Sequence, residues 1–211
     1  MINSEDTKQE FSLELLREGD KAEFARLVET YSNVIYRLGL KMLEDEQDAE
    51  DVLQETFIKA YKALPNFHGR SSLSTWLYRI ATNEALMVLR KRKNKGIPVS
   101  IDEPIELEAG EMEPLQIMDW CCMPEEELMT SEAVDYLDQA VSELPESLRV
   151  VFLLRDIDGL STRETAQVLD LSETAVKTRL SRGRLRLREM LTVYYGERMA
   201  EKKEIYDGQR T

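Results

Sequence analysis

Residues 161 to 184 read STRETAQVLDLSETAVKTRLSRGR, and this stretch decides the fold. Ser161 and Glu164 stand three apart at its head. That is a capping-box spacing, in which the Ser oxygen and the Glu carboxylate each satisfy a free N–H at the start of a helix. The spacing predicts a helix ending near Leu169. Asp170 and Leu171 follow as a turn, and Asp tolerates the left-handed backbone region better than most residues. Ser172 can cap a second helix, with Val176, Leu180, Leu187 and Leu191 on its inner face. Ala166 is small where the second helix must cross the first, and Leu169, Leu171 and Val176 can pin the crossing from inside. Two helices joined by three or four residues, the second strongly basic, make a helix-turn-helix.

The second helix carries the charge. From Glu173 to Arg188 there are six basic side chains against one acid, a net of +5. Early residues of such a helix reach base edges, and later Arg residues lie along phosphates. The candidate readers are Ser172, Thr174, Lys177, Thr178, Arg179, Ser181, Arg182 and Arg184. A solvated basic helix would show the same charge run; the cap, Ala166 and the short turn favour DNA reading. Upstream, Val134, Leu137, Val141 and Leu144 form a helical stripe that Pro145 ends. A short helix with Leu148, Val151, Phe152 and Leu154 follows.

The first half is also helical by period. Phe24, Leu27, Val28, Tyr31, Ile35, Leu38 and Met42 make one apolar stripe between residues 21 and 43. Asp45 can cap the next helix, whose stripe is Ala49, Val52, Leu53, Phe57, Ala60, Tyr61 and Leu64, stopped by Pro65. A loop from Asn66 to Ser72 leads to a third helix, about Leu73 to Arg92, with Leu73, Trp76, Leu77, Ile80 and Ala81 inward. Three helices with short connections can share a core. The spacing places Trp76 in that core rather than on the surface.

Charge divides the chain more sharply than period. All 211 residues sum to −13, a balance that argues against a nucleic-acid partner. Yet residues 94 to 130 hold ten acids and one Lys, a net of −9. Residues 1 to 93 and 131 to 211 are each only −2. The acidic stretch holds Pro98, Pro104, Pro114 and Pro124 and no sustained period, so it reads as a flexible linker. Its Cys121 and Cys122 are adjacent, a poor arrangement for a structural disulfide and in keeping with a reducing compartment. The N-terminus lacks the apolar core of a signal peptide, and no apolar run approaches bilayer length. The expectation is a cytoplasmic protein with no membrane insertion. The fold expected is all-α: two small helical domains joined by the acidic linker. The segments are 1–20 as an N-terminal extension, 21–93, 94–130 as linker, 131–191, and 192–211 as a tail read as a fraying helix end.

Three blocks carry a resemblance. They are DAEDVLQETF at 48–57, TWLYRIATN at 75–83, and LSTRETAQVLDLS with VKTRLSRGR between 160 and 184. Their order and spacing resemble the extracytoplasmic-function (ECF, group 4) sigma factors of bacterial RNA polymerase, in the sigma-70 family. By that resemblance residues 21–93 are region 2 and 131–191 are region 4. The resemblance implies a promoter-specificity subunit that directs core enzyme to −35 and −10 elements and melts the latter, for stress or envelope-response genes. It implies polymerase contacts through Asp48, Glu50, Asp51, Gln54 and Glu55 to the clamp helices of the largest subunit, and a contact of region 4 with the flap of the second-largest. An acidic, amide-bearing face suits a basic partner. Region 2 would capture an unpaired −10 base through Phe67, His68, Arg70, Ser71, Ser72, Trp76, Arg79 and Asn83, with Arg90 and Arg92 along the backbone. Aromatic surfaces, amides and cations are what such a site needs. The resemblance also implies an anti-sigma factor as inhibitory partner, no cofactor, and no enzymatic activity.

His68 is the only His, without Cys or a second His nearby, so a metal site is not expected. There is no Gly-rich phosphate loop and no nucleophile elbow. The competing reading is a helix-turn-helix activator or repressor that acts without being a polymerase subunit. The acidic linker could also act as a nucleic-acid mimic in the polymerase cleft, or serve only as a soluble tether.

Overall fold

The computed structural model describes residues 11–94 and 131–208, and every regular element among them is helical. The linker reading at 95–130 lies outside the described residues. The N-terminal body holds α1 (Leu13–Glu18), α2 (Lys21–Leu43), α3 (Glu46–Ala63) and α4 (Leu73–Asn94). The C-terminal body holds α5 (Ser131–Ser142), α6 (Glu146–Phe152), α7 (Thr162–Leu169) and α8 (Glu173–Gly208).

The expected apolar stripes form the cores. Leu27, Tyr31, Ile35, Leu38 and Met42 of α2 are buried against Val52, Phe57 and Ala60 of α3 and Leu77 and Ala81 of α4. Full burial of such a side chain is worth roughly 1.5–3 kcal/mol, so this stripe holds the three helices together. Asp45 caps α3 by accepting from the Asp48 N–H at 2.8 Å. At Gly39 a Cβ would lie 3.4 Å from the Ala49 Cα, so glycine lets α2 and α3 approach closely.

Three features depart from the sequence expectation. The N-terminal extension contains α1, which is clamped to α2: Ser12 N–H donates to Glu23 at 2.7 Å, and Leu16 is buried. Six residues are too few to show a period, which hid this helix. Val134, expected inward, is 49% exposed, while Ala140 and Val141 at the end of α5 and Leu144 just beyond it are buried. The tail does not begin to fray at residue 192. Helix α8 runs on past it, Tyr195 is buried, and the Tyr194 ring stacks on Tyr136 with centroids 4.0 Å apart.

Between α6 and α7 the chain makes one π-helical turn, Leu153–Ile157, that buries Leu153 and Leu154. Beyond it Gly159 takes φ +74 to reverse the chain towards α7. The two bodies also touch: α4 packs along α7, and α2 meets α6.

Candidate nucleic-acid interface

The C-terminal site is built as local chemistry requires. Glu164 N–H donates to the Ser161 hydroxyl at 3.2 Å, and Ser161 N–H donates to the Glu164 carboxylate at 2.8 Å, closing the capping box. These bonds to Ser161 hold the Glu164 carboxyl below its ordinary range. Asp170 ends α7 at φ 56, in the left-handed region, and its N–H bonds to the Ala166 carbonyl. Ser172 accepts from Ala175 N–H at 3.1 Å and starts α8. Val176, Leu180 and Leu187 are buried, which turns the opposite face of α8 outward.

On that face Ser172, Thr174, Lys177, Thr178 and Ser181 are exposed, and Arg179 and Arg182 are half-buried. Thr178 donates to the Thr174 carbonyl at 3.0 Å, which fixes its rotamer while leaving its oxygen free to accept. Arg184 is held differently. Its guanidinium forks onto Asp156 of the π turn at 2.6 and 2.8 Å, a bidentate pair that raises the Arg184 pKa. Arg184 therefore reaches phosphate only in competition with Asp156. Gly183 is buried facing Leu148, where a Cβ would sit 3.7 Å from the Leu148 Cβ.

The N-terminal body presents two surfaces. On α3, Glu50, Asp51, Gln54 and Glu55 are exposed on successive turns. Asp51, Gln54 and Glu55 line a groove of about 440 Å³ together with Glu84, Met87 and Lys91 of α4. Lys59 and Glu84 bridge α3 to α4 beside it at 2.5 Å. Asp48 stands apart from this face. It pairs with Arg92 at 2.5 Å, and Arg92 also donates to the Leu43 carbonyl at 2.7 Å. Both residues thus brace the end of α4 against the start of α3.

The second surface is the loop before α4. Phe67 is 7% exposed, and its ring packs 4.9 Å from that of Trp76, itself partly buried against the core. The Phe67 carbonyl accepts from Arg17 of α1 at 2.9 Å, so the missed helix anchors the loop. His68 and Arg70 are exposed on either side of Gly69, which takes φ +70, and Ser71 is half-buried. Ser72 is exposed and caps α4 by accepting from Thr75 N–H at 3.1 Å. Arg79 and Asn83 are exposed one turn apart, and Arg90 is exposed near the far end of α4. His68, Arg70, Arg79 and Asn83 are thus open polar groups of the loop and of α4, while Phe67 is buried and Trp76 partly buried.

Sequence reasoning missed the polar contacts between the bodies, which join Lys41 to Asp138, Glu44 to Arg149 and Thr75 to Glu164. The first two pairs lie 97 and 105 residues apart, beyond any local pattern. Among the described residues no helix is long and apolar enough to cross a membrane.

Comparison with known proteins gives consistent matches. The Sigma-70 region 2 family model matches residues 27–95, and the Sigma-70 region 4 model matches residues 135–187. The chain is 36% identical over 180 residues to the ECF RNA polymerase sigma factor SigW of Bacillus subtilis, covering 83% of this chain and 92% of that protein. It is 33% identical over 181 residues to the ECF RNA polymerase sigma-E factor of Escherichia coli K12, covering 86% and 93%. Among solved structures, CnrH in complex with the cytosolic domain of CnrY shares the fold, with a TM-score of 0.61 at 24% identity over 86% of this chain and 95% of that one. The sigma factor RpoE of Bartonella quintana, in complex with the anti-sigma factor NepR, gives 0.60 at 23% identity over 81% and 98%.

Proposed function

The chain belongs to the ECF sigma factors of the sigma-70 family, promoter-specificity subunits of RNA polymerase without enzymatic activity of their own, and on that premise we propose how its surfaces divide the work. Residues 131–191 form the unit that reads duplex −35 DNA. The exposed face of α8 supports this most directly, with Lys177, Thr178, Ser181 and Arg182 as base-edge readers and Arg179 and Arg184 on phosphate. Residues 21–93 hold the polymerase and the −10 element.

Asp51, Gln54 and Glu55, with Glu50 beside them, dock on the clamp helices of the largest subunit. The groove between α3 and α4 gives that contact depth as well as charge. Asp48 supports this face from behind, through Arg92. Arg79, Asn83, Arg70 and His68 hold the unpaired strand, with Ser71 and Ser72 at the loop's end. The Phe67–Trp76 pair is the rigid floor beneath them, and Arg90 tracks the backbone. Binding energy for the unpaired strand offsets the cost of unpairing, so no nucleotide need be hydrolysed.

The chain acts in the cytoplasm with the polymerase, on stress or envelope-response genes. Region 4 also meets the flap of the second-largest subunit. An anti-sigma factor is its inhibitory partner; the structural neighbour RpoE is solved in complex with the anti-sigma factor NepR.

The test is binding of the fluorescently labelled chain to purified bacterial core polymerase. Tight binding is expected, weakened at least tenfold by joint Asp51→Ala and Gln54→Ala. A chain that ignores core polymerase but binds a pool of duplex DNA by itself would overturn the reading in favour of an autonomous regulator.

A further inference from the structure

The loop that carries His68 and Arg70 is held at both ends and open between them. At its far end Ser72 is tied into α4. Its hydroxyl accepts from Thr75 N–H at 3.1 Å, and its carbonyl accepts from Trp76 N–H at 3.1 Å. At its near end both backbone groups and the ring of Phe67 are engaged. The N–H donates to the Leu64 carbonyl at 3.0 Å, the carbonyl accepts from Arg17 Nε–H at 2.9 Å, and the ring packs on Trp76. Between the two ends His68, Gly69 and Arg70 make no hydrogen bond among the described residues.

Among the described residues, the bond from Arg17 is the one tie on Phe67 or Ser72 that comes from outside the segment 64–76. It acts on the torsion that matters. A carbonyl oxygen and the following N–H share one rigid plane. Holding the Phe67 oxygen therefore holds ψ of Phe67, which stands at 111°, and with it the direction in which the chain leaves towards His68. Without that bond the Phe67–His68 peptide could rotate while the ring stayed packed, and His68 and Arg70 would be aimed elsewhere.

Arg17 can hold the carbonyl because α1 is itself fixed. Leu16 beside it is 1% exposed, and Ser12 N–H donates to Glu23 at 2.7 Å. Gly19 alone separates α1 from Asp20, which caps α2 by accepting from Glu23 N–H at 2.8 Å. Helix α1 also packs against the turn Leu64–Asn66. Burial or an ion pair would account for an Arg here, but Arg17 is exposed and makes no ion pair among the described residues. Its one bond is to the loop.

We propose that Arg17 is a positioning residue for the −10 reading loop. By fixing the Phe67–His68 peptide it aims His68 and Arg70 at the unpaired strand, and so sets base preference without touching a base. Holding a loop in its bound form lowers the ordering cost of binding. The effect on base preference rests on the proposed function; the anchoring rests on contacts within the chain.

The test separates the donor from the charge. The amide nitrogen of Gln is bonded to Cδ, where Arg carries Nε, so Arg17→Gln keeps a donor for the carbonyl and loses the charge. Arg17→Met keeps the stem and loses both. Each full-length protein, joined to purified core polymerase, is offered the single-stranded DNA that the native complex selects from a randomised pool, together with its single-base variants. Arg17→Met is expected to cut discrimination at one position roughly tenfold, the scale of a hydrogen bond to a charged group. Arg17→Gln should retain most of it. Without polymerase, trypsin should cleave after Arg70 several-fold faster in Arg17→Met than in the native chain, with Arg17→Gln close to native. Should Arg17→Met lose helix content, Arg17→Ala replaces it. Native discrimination in Arg17→Met would overturn the proposal. So would an equal loss in both variants, which would make the charge matter rather than the donor, as for a phosphate contact. If the native chain does not bind core enzyme, the proposed function fails, while the cleavage rates still decide whether Arg17 holds the loop.

Discussion

Replacing Ser161 by Ala tests whether the capping box sets the helix-turn-helix. Helix α7 has only eight residues, and an isolated helix of that length is unstable in water. Its first turn is held by the Ser161 hydroxyl accepting from Glu164 N–H and by the reciprocal Glu164 bond to Ser161 N–H. Loss of a cap hydroxyl costs about 1 kcal/mol. The region-4 transition should then fall by about 4–8 °C, the shift expected of a domain with 60–100 residues. Amides of α7 should exchange about fivefold faster, since 1.4 kcal/mol corresponds to a factor of ten. Ser161→Asp keeps an acceptor at the cap and should recover most of both losses. Hydrogen exchange read by mass spectrometry on the full chain, with a calorimetric scan, measures them. Unchanged exchange in Ser161→Ala, or an equal loss in Ser161→Asp, would refute the reasoning.

Arg182→Ala should weaken −35 binding by about 1–3 kcal/mol if the side chain reads a base, with the loss concentrated at one position. Competition between matched and mismatched −35 duplexes measures this, and an equal loss on all of them would exclude base reading. Asn83→Ala should relax preference at one −10 position in polymerase-dependent binding to single-stranded −10 oligonucleotides, and full retention of preference would remove Asn83 from the pocket. Stability should respond to pH through Asp158. Burial raises its pKa from 3.8 to about 7, against the opposing pull of Arg37 and Lys41 on α2. The native chain therefore holds this proton more tightly than the unfolded one, and the contribution is fully present below about pH 4 and lost as pH rises through about 7. The thermal midpoint of the native chain should fall between pH 5 and 8 relative to that of Asp158→Asn, and a constant difference would exclude it.

Much of the fold was legible because its signals are local. The α2 stripe, the Asp45 cap, the Ser161–Glu164 box and the left-handed Asp170 each depend on residues within one or two turns. What escaped depends on distance or on brevity. The helix α1 is too short for a period, and its value lies in Arg17 reaching the Phe67 carbonyl fifty residues on. The continuation of α8 is secured by Tyr194 stacking on Tyr136, a contact that no helical pattern announces. The candidate site divides in the same way. The exposed faces of α3 and α8 follow directly from their buried faces. The engagements of Arg184 with Asp156 and of Arg92 with Asp48 join residues 28 and 44 apart, so no local pattern announces them. Phe67 was read as an open stacking surface from its residue type, and only the fold shows its ring packed on Trp76.

Promoter choice by RNA polymerase is read most directly in transcription itself. Purified core enzyme should be incubated with the chain and fragmented bacterial genomic DNA, and the 5′ ends of the transcripts sequenced. Discrete starts should appear only when the chain is present, with two shared sequence elements upstream near −35 and −10. Starts that are the same with and without the chain, or that share no upstream elements, would contradict it.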